Sequence, residues 1–216
     1  MSKNNEVMTV NPSALTINNG QQTINAHIGD NHITNNYPPI TVFIQNENGI
    51  PLPKVFTYDS SHFNLFVVDD ENQFIEKSFC IIKEQALTFA PDKITNDKYK
   101  YLTKESIESI KQFPCIFASR NHLTDTTDEN HYAYFGFISD IKVLKDEIKI
   151  MYYMIAPIKQ LSLLNIMDQL KIVKKHMNNE FNKIHWTIKD VDLLSVLDSN
   201  GINYIPFLRK QEVTNE

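Results

Sequence analysis

Two long apolar segments separated by three residues constrain this chain more than any other feature. Residues 132–143 and 147–155 are dense in Phe, Tyr, Ile and Met, and they flank Leu144-Lys145-Asp146. Segments rich in aromatic and β-branched residues on either side of a short polar turn predict a long β-hairpin. A β-sheet is therefore part of the predicted fold.

Shorter β segments precede and follow this pattern. They share a high content of Val, Ile and Phe and end at turn-forming residues such as Asn, Asp and Pro. The predicted strands are residues 41–45, 62–69, 73–83, 86–89 and 115–119, with turns at 46–49 and 69–72.

Three helices are predicted among these strands. Thr103 caps a helix that runs to Gln112, and Pro114 follows it. Residues 161–176 carry apolar side chains at every third position, which indicates one apolar helix face. Thr187 caps a last helix over 188–199, which Asn200-Gly201 terminates. The predicted fold class is α+β: a small, mostly antiparallel sheet or open barrel with about three helices.

An Asn-rich arm over residues 1–39 precedes this predicted domain. Nine of its 39 residues are Asn, and single β-branched residues recur between them. Such a segment buries too little apolar surface to fold alone, but copies from several chains can pair their edges and stack their isoleucines. We predict an oligomerising arm, with a plain flexible tail as the alternative. The oligomerisation residues would be Ile17, Ile24, Ile28 and Ile33. The binding domain is predicted over 40–210, and a flexible tail over 211–216.

Composition excludes several classes of protein. The net charge of −5 argues against the basic footprint of a general nucleic-acid binder. No apolar run approaches the roughly 20 residues that span a bilayer, and the first ten residues lack the apolar segment of a secretory signal. Cys80 and Cys115 lie among apolar residues, so we predict reduced core thiols in a cytoplasmic protein without a membrane partner.

Candidate catalytic groups are few. None of the seven His residues has metal-ligand spacing, and the cluster His122, Asp125, Asp128 and His131 is interpreted as a solvated loop, with a metal or acid–base site as the alternative. Ser119 lacks the glycine elbow of a hydrolase nucleophile. We therefore predict no catalytic residue, no metal ligand and no cofactor.

Two groups of residues are candidates for binding. Arg120, Asn121 and His122 leave the end of a predicted strand, where loops commonly carry binding groups. The lone Trp186 is interpreted first as a core anchor that closes the last helix onto the sheet. The alternative places Trp186 at a recognition edge with Lys189 and Asp192.

Several short segments of the chain resemble parts of a known protein family. They are Pro114-Cys115-Ile116-Phe117-Ala118 with Asn121-His122, Tyr134-Phe135-Gly136-Phe137-Ile138, and residues 185–193 followed by Gly201-Ile202. The chain from about residue 80 to 205 resembles a poorly characterised domain of bacterial anti-phage and restriction-linked proteins, often found beside effector or sensor modules. Ile28-Gly29-Asp30-Asn31 resembles linkers of multidomain bacterial conflict proteins. The resemblance implies no catalytic residue.

These observations lead to one functional hypothesis and two alternatives. The hypothesis is a non-enzymatic adaptor that forms a homo-oligomer through its arm and binds another protein of a bacterial phage-defence system. The first alternative is a nuclease or hydrolase without a short motif. The second is a nucleotide or nucleic-acid sensor that stacks bases on aromatic residues such as Tyr132, Tyr134 and Tyr152.

Overall fold

A computed structural model describes residues 39–45, 51–88, 97–172, 174–175 and 178–205. The predicted oligomerisation residues Ile17, Ile24, Ile28 and Ile33 lie outside the described residues, as do the turn at 46–49 and the tail at 211–216. The prediction of an oligomerising arm therefore stays a prediction.

In the described residues, ten strands form one six-stranded sheet and two small two-stranded sheets. In the large sheet the strand order is β10-β3-β5-β6-β7-β4, while β1 pairs with β2 and β8 with β9. The strands are β1 (Ile40–Gln45), β2 (Pro51–Phe56), β3 (Phe63–Val68), β4 (Ser78–Ile82), β5 (Pro114–Ser119), β6 (Tyr132–Val143), β7 (Glu147–Lys159), β8 (Lys174–Lys175), β9 (Asn178–Asn179) and β10 (His185–Lys189).

The predicted long hairpin is confirmed as β6 and β7, which pair antiparallel from Tyr132↔Lys159 to Val143↔Ile148. Its second strand continues four residues beyond the predicted end. The register shifts at two places, one of them between Phe135 and Gly136. At Gly136 the two strands approach so closely that an added Cβ would lie 2.0 Å from the carbonyl oxygen of Tyr153. Only glycine fits this position.

The six-stranded sheet curls into a half-barrel. Three strands separate β3 from β4 in the sheet, yet the rings of Phe66 on β3 and Phe79 on β4 are only 5.5 Å apart. The chain that leaves β4 also reaches the opposite edge strand, because Ala86 forms a parallel bridge with Trp186 of β10. The predicted α+β class is thus confirmed. The sheet is mixed, since β3 and β5 run parallel while the other strand pairs of this sheet are antiparallel.

Two apolar cores lie on the two faces of the curled sheet. The inner core receives side chains from all six strands and is rich in rings, including Phe66, Phe79, Phe117, Tyr152 and Trp186. The outer core packs the opposite face of β3, β5, β6 and β7 against the β1–β2 hairpin and two short helices. Burial of both sheet faces explains why β3 and β5 are apolar at nearly every position.

One of the predicted helices is confirmed and two are revised. Helix α1 (Lys104–Lys111) begins as predicted, with the Thr103 side chain accepting from the Ser106 N–H. Helix α2 spans only Gln160–Asn165, and helix α3 spans Leu193–Ser199. A further helix includes residues 97–99.

The helix predicted over 161–176 ends early. After Asn165 the chain continues in turns, Lys171 has a φ of 51°, and Lys174–Lys175 is the short strand β8. Leu164 and Leu170 are still buried as the three-residue spacing requires. Beyond Asn165 the buried apolar side chains are those of Ile166, Leu170 and Ile172, at intervals of four and two residues, so turns and not a regular helix bring them to the outer core.

The start of the last helix is five residues later than predicted. Thr187 is not a cap but the middle of strand β10, and Asp192 caps α3 by accepting from the Ser195 N–H. The predicted end is confirmed, since Asn200 ends the helix and Gly201 follows with a φ of 64°. A β-branched residue next to an aromatic one favours a strand, and this preference outweighs the capping signal.

Three smaller expectations are also corrected. Residues 73–83 do not form one strand, because Glu71–Phe74 is a 3₁₀ turn capped by Asp70 and β4 starts at Ser78. Strand β2 was missed, since prolines at 51 and 53 argue against a strand, yet it pairs only with β1 in a two-stranded sheet where proline is tolerated. Cys80 is exposed rather than a core thiol, whereas Cys115 is buried and burial raises its thiol pKa.

Candidate functional site

Polar side chains gather where the parallel strands β3 and β5 end. The β5–β6 loop (residues 120–131) starts at this point, and its first N–H, from Arg120, donates to the carbonyl of Val68 over 2.9 Å. The Arg120 guanidinium pairs with the Asp69 carboxylate, and both side chains are about half exposed. The carboxyl ends of parallel strands are where α/β sheets commonly bind ligands, so this edge of the sheet is a candidate binding site.

A Ser–His pair lies at the base of this loop. Ser119 Oγ is 2.6 Å from His131 Nε2, and His131 Nδ1 is 2.5 Å from Thr127 Oγ1. All three residues are buried. Burial lowers the pKa of His131, and the neighbouring His122 lowers it further. The imidazole is therefore neutral near pH 7, with one ring nitrogen donating and the other accepting.

His122 covers His131 from the solvent side. The two rings are stacked with centroids 4.0 Å apart and an interplanar angle of 10°. His122 Nδ1 is also 2.5 Å from Asp128 Oδ2, and this hydrogen bond lowers the pKa of the Asp128 carboxyl. Of the four residues predicted to form a solvated loop, His122 and Asp128 are exposed, Asp125 is half-buried and His131 is buried.

The Ser119–His131 pair does not meet the requirements of a nucleophilic site. A serine nucleophile needs a base that a third group orients, usually a carboxylate, and it needs access to substrate. Here Thr127 takes the place of the carboxylate, and Ser119 is only 2% exposed. The arrangement can hold the start and end of the β5–β6 loop together.

Asn121 ties the loop to the segment before β10. Its amide Nδ2 donates to Asn179 Oδ1 over 3.2 Å and to Asn182 Oδ1 over 2.9 Å. Its Oδ1 accepts from Gln160 Nε2 over 3.0 Å, and its backbone N–H donates to the carbonyl of Phe181. These bonds occupy both the nitrogen and the oxygen of the Asn121 amide, so the side chain holds the loop in place.

Asp125 makes a second attachment to the same segment. Its Oδ1 accepts from the Asn179 backbone N–H over 3.0 Å and from Asn182 Nδ2 over 2.8 Å, and its carbonyl accepts from Asn179 Nδ2. Asp125 has a φ of 61°, a left-handed conformation that Asp tolerates better than most residues. The β5–β6 loop is therefore held at its base and at its middle.

Trp186 lies in the interior rather than on a surface. It is fully buried, its ring stacks on Phe66 at 5.3 Å, and its Nε1 donates to Asn64 Oδ1 over 3.0 Å. The recognition role considered for Trp186 needs an exposed indole face, and the burial leaves none. The anchoring role also needs revision, because Trp186 packs in the inner core and helix α3 packs in the outer core.

Lys189 is part of a buried ionic group. Its ammonium is 2.6 Å from Glu180 Oε1, and His185 Nε2 is 3.3 Å from Glu180 Oε2. All three side chains are at most 2% exposed. Burial lowers the pKa of Lys189, while the Glu180 carboxylate opposes that shift. Asp192 lies apart from this group as the cap of α3, so the predicted trio of Trp186, Lys189 and Asp192 is not one site.

The structure thus brings together Arg120, Asn121 and His122 and separates them from the other predicted residues. Sequence reasoning missed the partners that fix the loop, namely Thr127, Gln160, Asn179 and Asn182, and the buried Glu180. The one available signal was the run of Asn at 178 and 179 followed by Asn182, since polar residues between two apolar segments mark a turn.

Comparisons with protein-family models, with curated proteins and with solved structures find no match to this chain. In the described parts of the chain, no three His, Cys, Asp or Glu side chains are grouped so that they could hold a metal ion. Among the helices that the structure describes, none has the length and apolar character needed to cross a membrane.

Proposed function

We propose that this chain is a non-enzymatic interaction module that binds another protein through the β5–β6 loop. The observation that carries the proposal is an exposed side-chain set on a firmly held loop. Arg120 and His122 are about half exposed, and Leu123 is 62% exposed at the loop tip. Arg is enriched among the residues that dominate protein interfaces, and an exposed Leu supplies apolar contact area.

The fixed conformation of the loop favours binding. Leu123 and Thr126 exchange backbone hydrogen bonds across the tip, while Asn121 and Asp125 hold the loop to the segment before β10. A loop that is ordered before binding loses little conformational entropy when a partner binds. Ser119 and His131, the two side chains that could take part in catalysis, are buried at the base of the loop.

We also propose that the module self-associates through the arm at residues 1–39 and acts in the bacterial cytoplasm within a phage-defence system. The recurrent Ile17, Ile24, Ile28 and Ile33 support the first part, and the resemblance of residues 80–205 supports the second. Light scattering on the full chain and on a chain starting at Ile40 tests self-association. We expect a multimer that becomes a monomer on truncation, and equal subunit numbers would refute the arm's role.

A hydrolase is the second candidate, because the 2.6 Å separation of Ser119 Oγ and His131 Nε2 suits proton transfer. It requires an opening that exposes Ser119. The nucleic-acid sensor has less support, since Phe135, Phe137 and Tyr152 lie in the two cores rather than on a stacking surface.

The loop proposal is tested by binding measurements on the full chain. Proteins encoded by neighbouring genes are purified and immobilised one at a time, and the wild type is compared with Arg120→Ala and Leu123→Asp. We expect each substitution to weaken binding at least tenfold, as the loss of a central interface residue does. Lys145→Ala, at the exposed turn of the hairpin, is the matched control and should change affinity less than twofold.

Two results would count against this function. Binding that neither loop substitution weakens would place the interface elsewhere. A folded Ser119→Ala variant that binds normally but abolishes the activity of the system in cells would favour the hydrolase.

A further inference from the structure

A cleft with a volume of about 450 Å³ lies at the open end of the β6–β7 hairpin. Its base is formed where Tyr132 pairs with Lys159, its first wall is helix α2, and its second wall is the turn after α3. The volume falls within the range of roughly 300–1,000 Å³ that is usual for ligand sites. None of the β5–β6 loop residues Arg120, His122 and Leu123 lines it, so the cleft is a separate surface.

One part of the cleft lining is apolar. Pro157, Ile158, Ile166 and Ile202 line it, and the backbone at Gly201 adds a section without a side chain. Ile158 and Ile166 belong to the outer core and are buried, so packing fixes this part of the wall, and its accessible apolar surface is mainly that of Pro157 and Ile202. A small apolar side chain of a ligand would lose water on contact with these residues, which favours binding.

The other part of the lining consists of hydrogen-bond donors. Lys159, Ser162, Asn165 and Asn203 line the cleft, and none of their side chains has a hydrogen-bond partner among the described residues. Asn200, by contrast, is already bonded to Gln169 and to the carbonyl of Val196. The four side chains are available to a ligand.

The charge of the cleft differs from that of the chain. The chain has a net charge of −5, yet the described residues that line the cleft include no carboxylate and one cation, Lys159. An ammonium beside unpaired amide and hydroxyl donors complements an anionic oxygen, because each donor can bond a carboxylate without opposing charge.

We propose that this cleft binds a short acidic peptide segment. A carboxylate of the peptide would bond to Lys159 and Ser162, and an adjacent apolar side chain would contact the apolar wall at Pro157 and Ile202. A peptide is the occupant that matches the lining, since its backbone also supplies donors and acceptors for the amides of Asn165 and Asn203. The proposal stands whether or not the β5–β6 loop is an interface.

Titration of the ¹⁵N-labelled full chain with two matched peptides tests it. The probes are N-acetyl-Leu-Glu-Leu-amide and the neutral N-acetyl-Leu-Gln-Leu-amide. We expect the acidic peptide to shift the amide signals of Ser162, Asn165 and Gly201 and to bind about fivefold more tightly than the neutral one, the factor of a single exposed ion pair. Lys159→Gln should remove that preference, and Lys145→Gln, an exposed cation at the distant turn, should retain it.

Three results would overturn the proposal. The first is equal affinity for both peptides. The second is a set of shifts confined to residues outside the cleft, or no shifts at about 10 mM peptide, which would mean a Kd well above 1 mM. The third is tighter binding of inorganic phosphate or adenosine monophosphate than of the acidic peptide, with the same residues shifted, which would identify the cleft as a phosphate site. The Lys159 side chain is exposed, so circular dichroism of Lys159→Gln should match the wild type and show that folding is intact.

Discussion

Replacement of Gly136 by alanine tests the closest approach of the two hairpin strands. An alanine Cβ at this position would lie 2.0 Å from the Tyr153 carbonyl oxygen and 3.1 Å from the Met154 Cα. Both obstacles are backbone atoms of the paired strand, so no side-chain rotation relieves the contact. The strands must separate by about 1.5 Å to restore an ordinary contact distance of roughly 3.5 Å.

The expected cost follows from this separation. A ladder hydrogen bond near 2.9 Å would lengthen beyond hydrogen-bonding distance, and about two such bonds flank the position, each contributing roughly 0.5–1.5 kcal/mol. Overpacking in a filled interior adds about 1–3 kcal/mol. We therefore expect Gly136→Ala to lower the free energy of unfolding by about 4 kcal/mol. For a chain of this size that corresponds to a fall in Tm of roughly 8–16 °C.

Urea denaturation followed by circular dichroism measures this loss, and Gly201→Ala is the matched control. Gly201 also resists substitution, but for a different reason: its φ of 64° strains an alanine, while nothing lies within 4 Å of an added Cβ. That variant should lose only about 1 kcal/mol. If the two variants lost equal stability, or if Gly136→Ala lost less than about 1 kcal/mol, the argument from strand approach would be refuted.

Two further predictions concern buried charge. Lys189→Met removes the cation beside the buried Glu180 carboxylate and should lower the free energy of unfolding by about 3–5 kcal/mol. Adding Glu180→Gln should recover part of this loss in the same urea assay. A double variant that loses the sum of the two single losses would contradict the coupling of these charges. Because burial lowers the pKa of His131, the unfolded chain binds a proton that the folded chain does not as pH falls below the ordinary value of 6.5. Stability should therefore decline between pH 7 and 5, and His131→Gln should flatten that slope. His122→Ala should make the slope shallower, because His122 also lowers the pKa of His131.

The parts of the fold that sequence reasoning predicted are those whose signals are local and agree with one another. The β6–β7 hairpin has its two apolar arms and its turn within 28 consecutive residues, and helix α1 has its cap and its stop within twelve. The helix predicted over 161–176 lacked such agreement. Its apolar residues do reach the outer core, but beyond Asn165 the buried ones are Ile166, Leu170 and Ile172, an irregular spacing that turns produce and a regular helix does not.

The candidate site depends instead on contacts between distant parts of the chain. Asn121 bonds to Asn179, which is 58 residues away, and Asp125 bonds to the same residue. Asparagine between apolar segments predicts only a turn, so the sequence of either loop by itself contains no sign of the other. The curled sheet decides which polar residues form a fixed loop and which stay solvated, because it brings the end of β5 beside the segment that leads into β10. The same curl encloses Trp186 and Phe66 in one core, so Trp186 is buried as its first interpretation requires, but it packs in the inner core and not against the last helix.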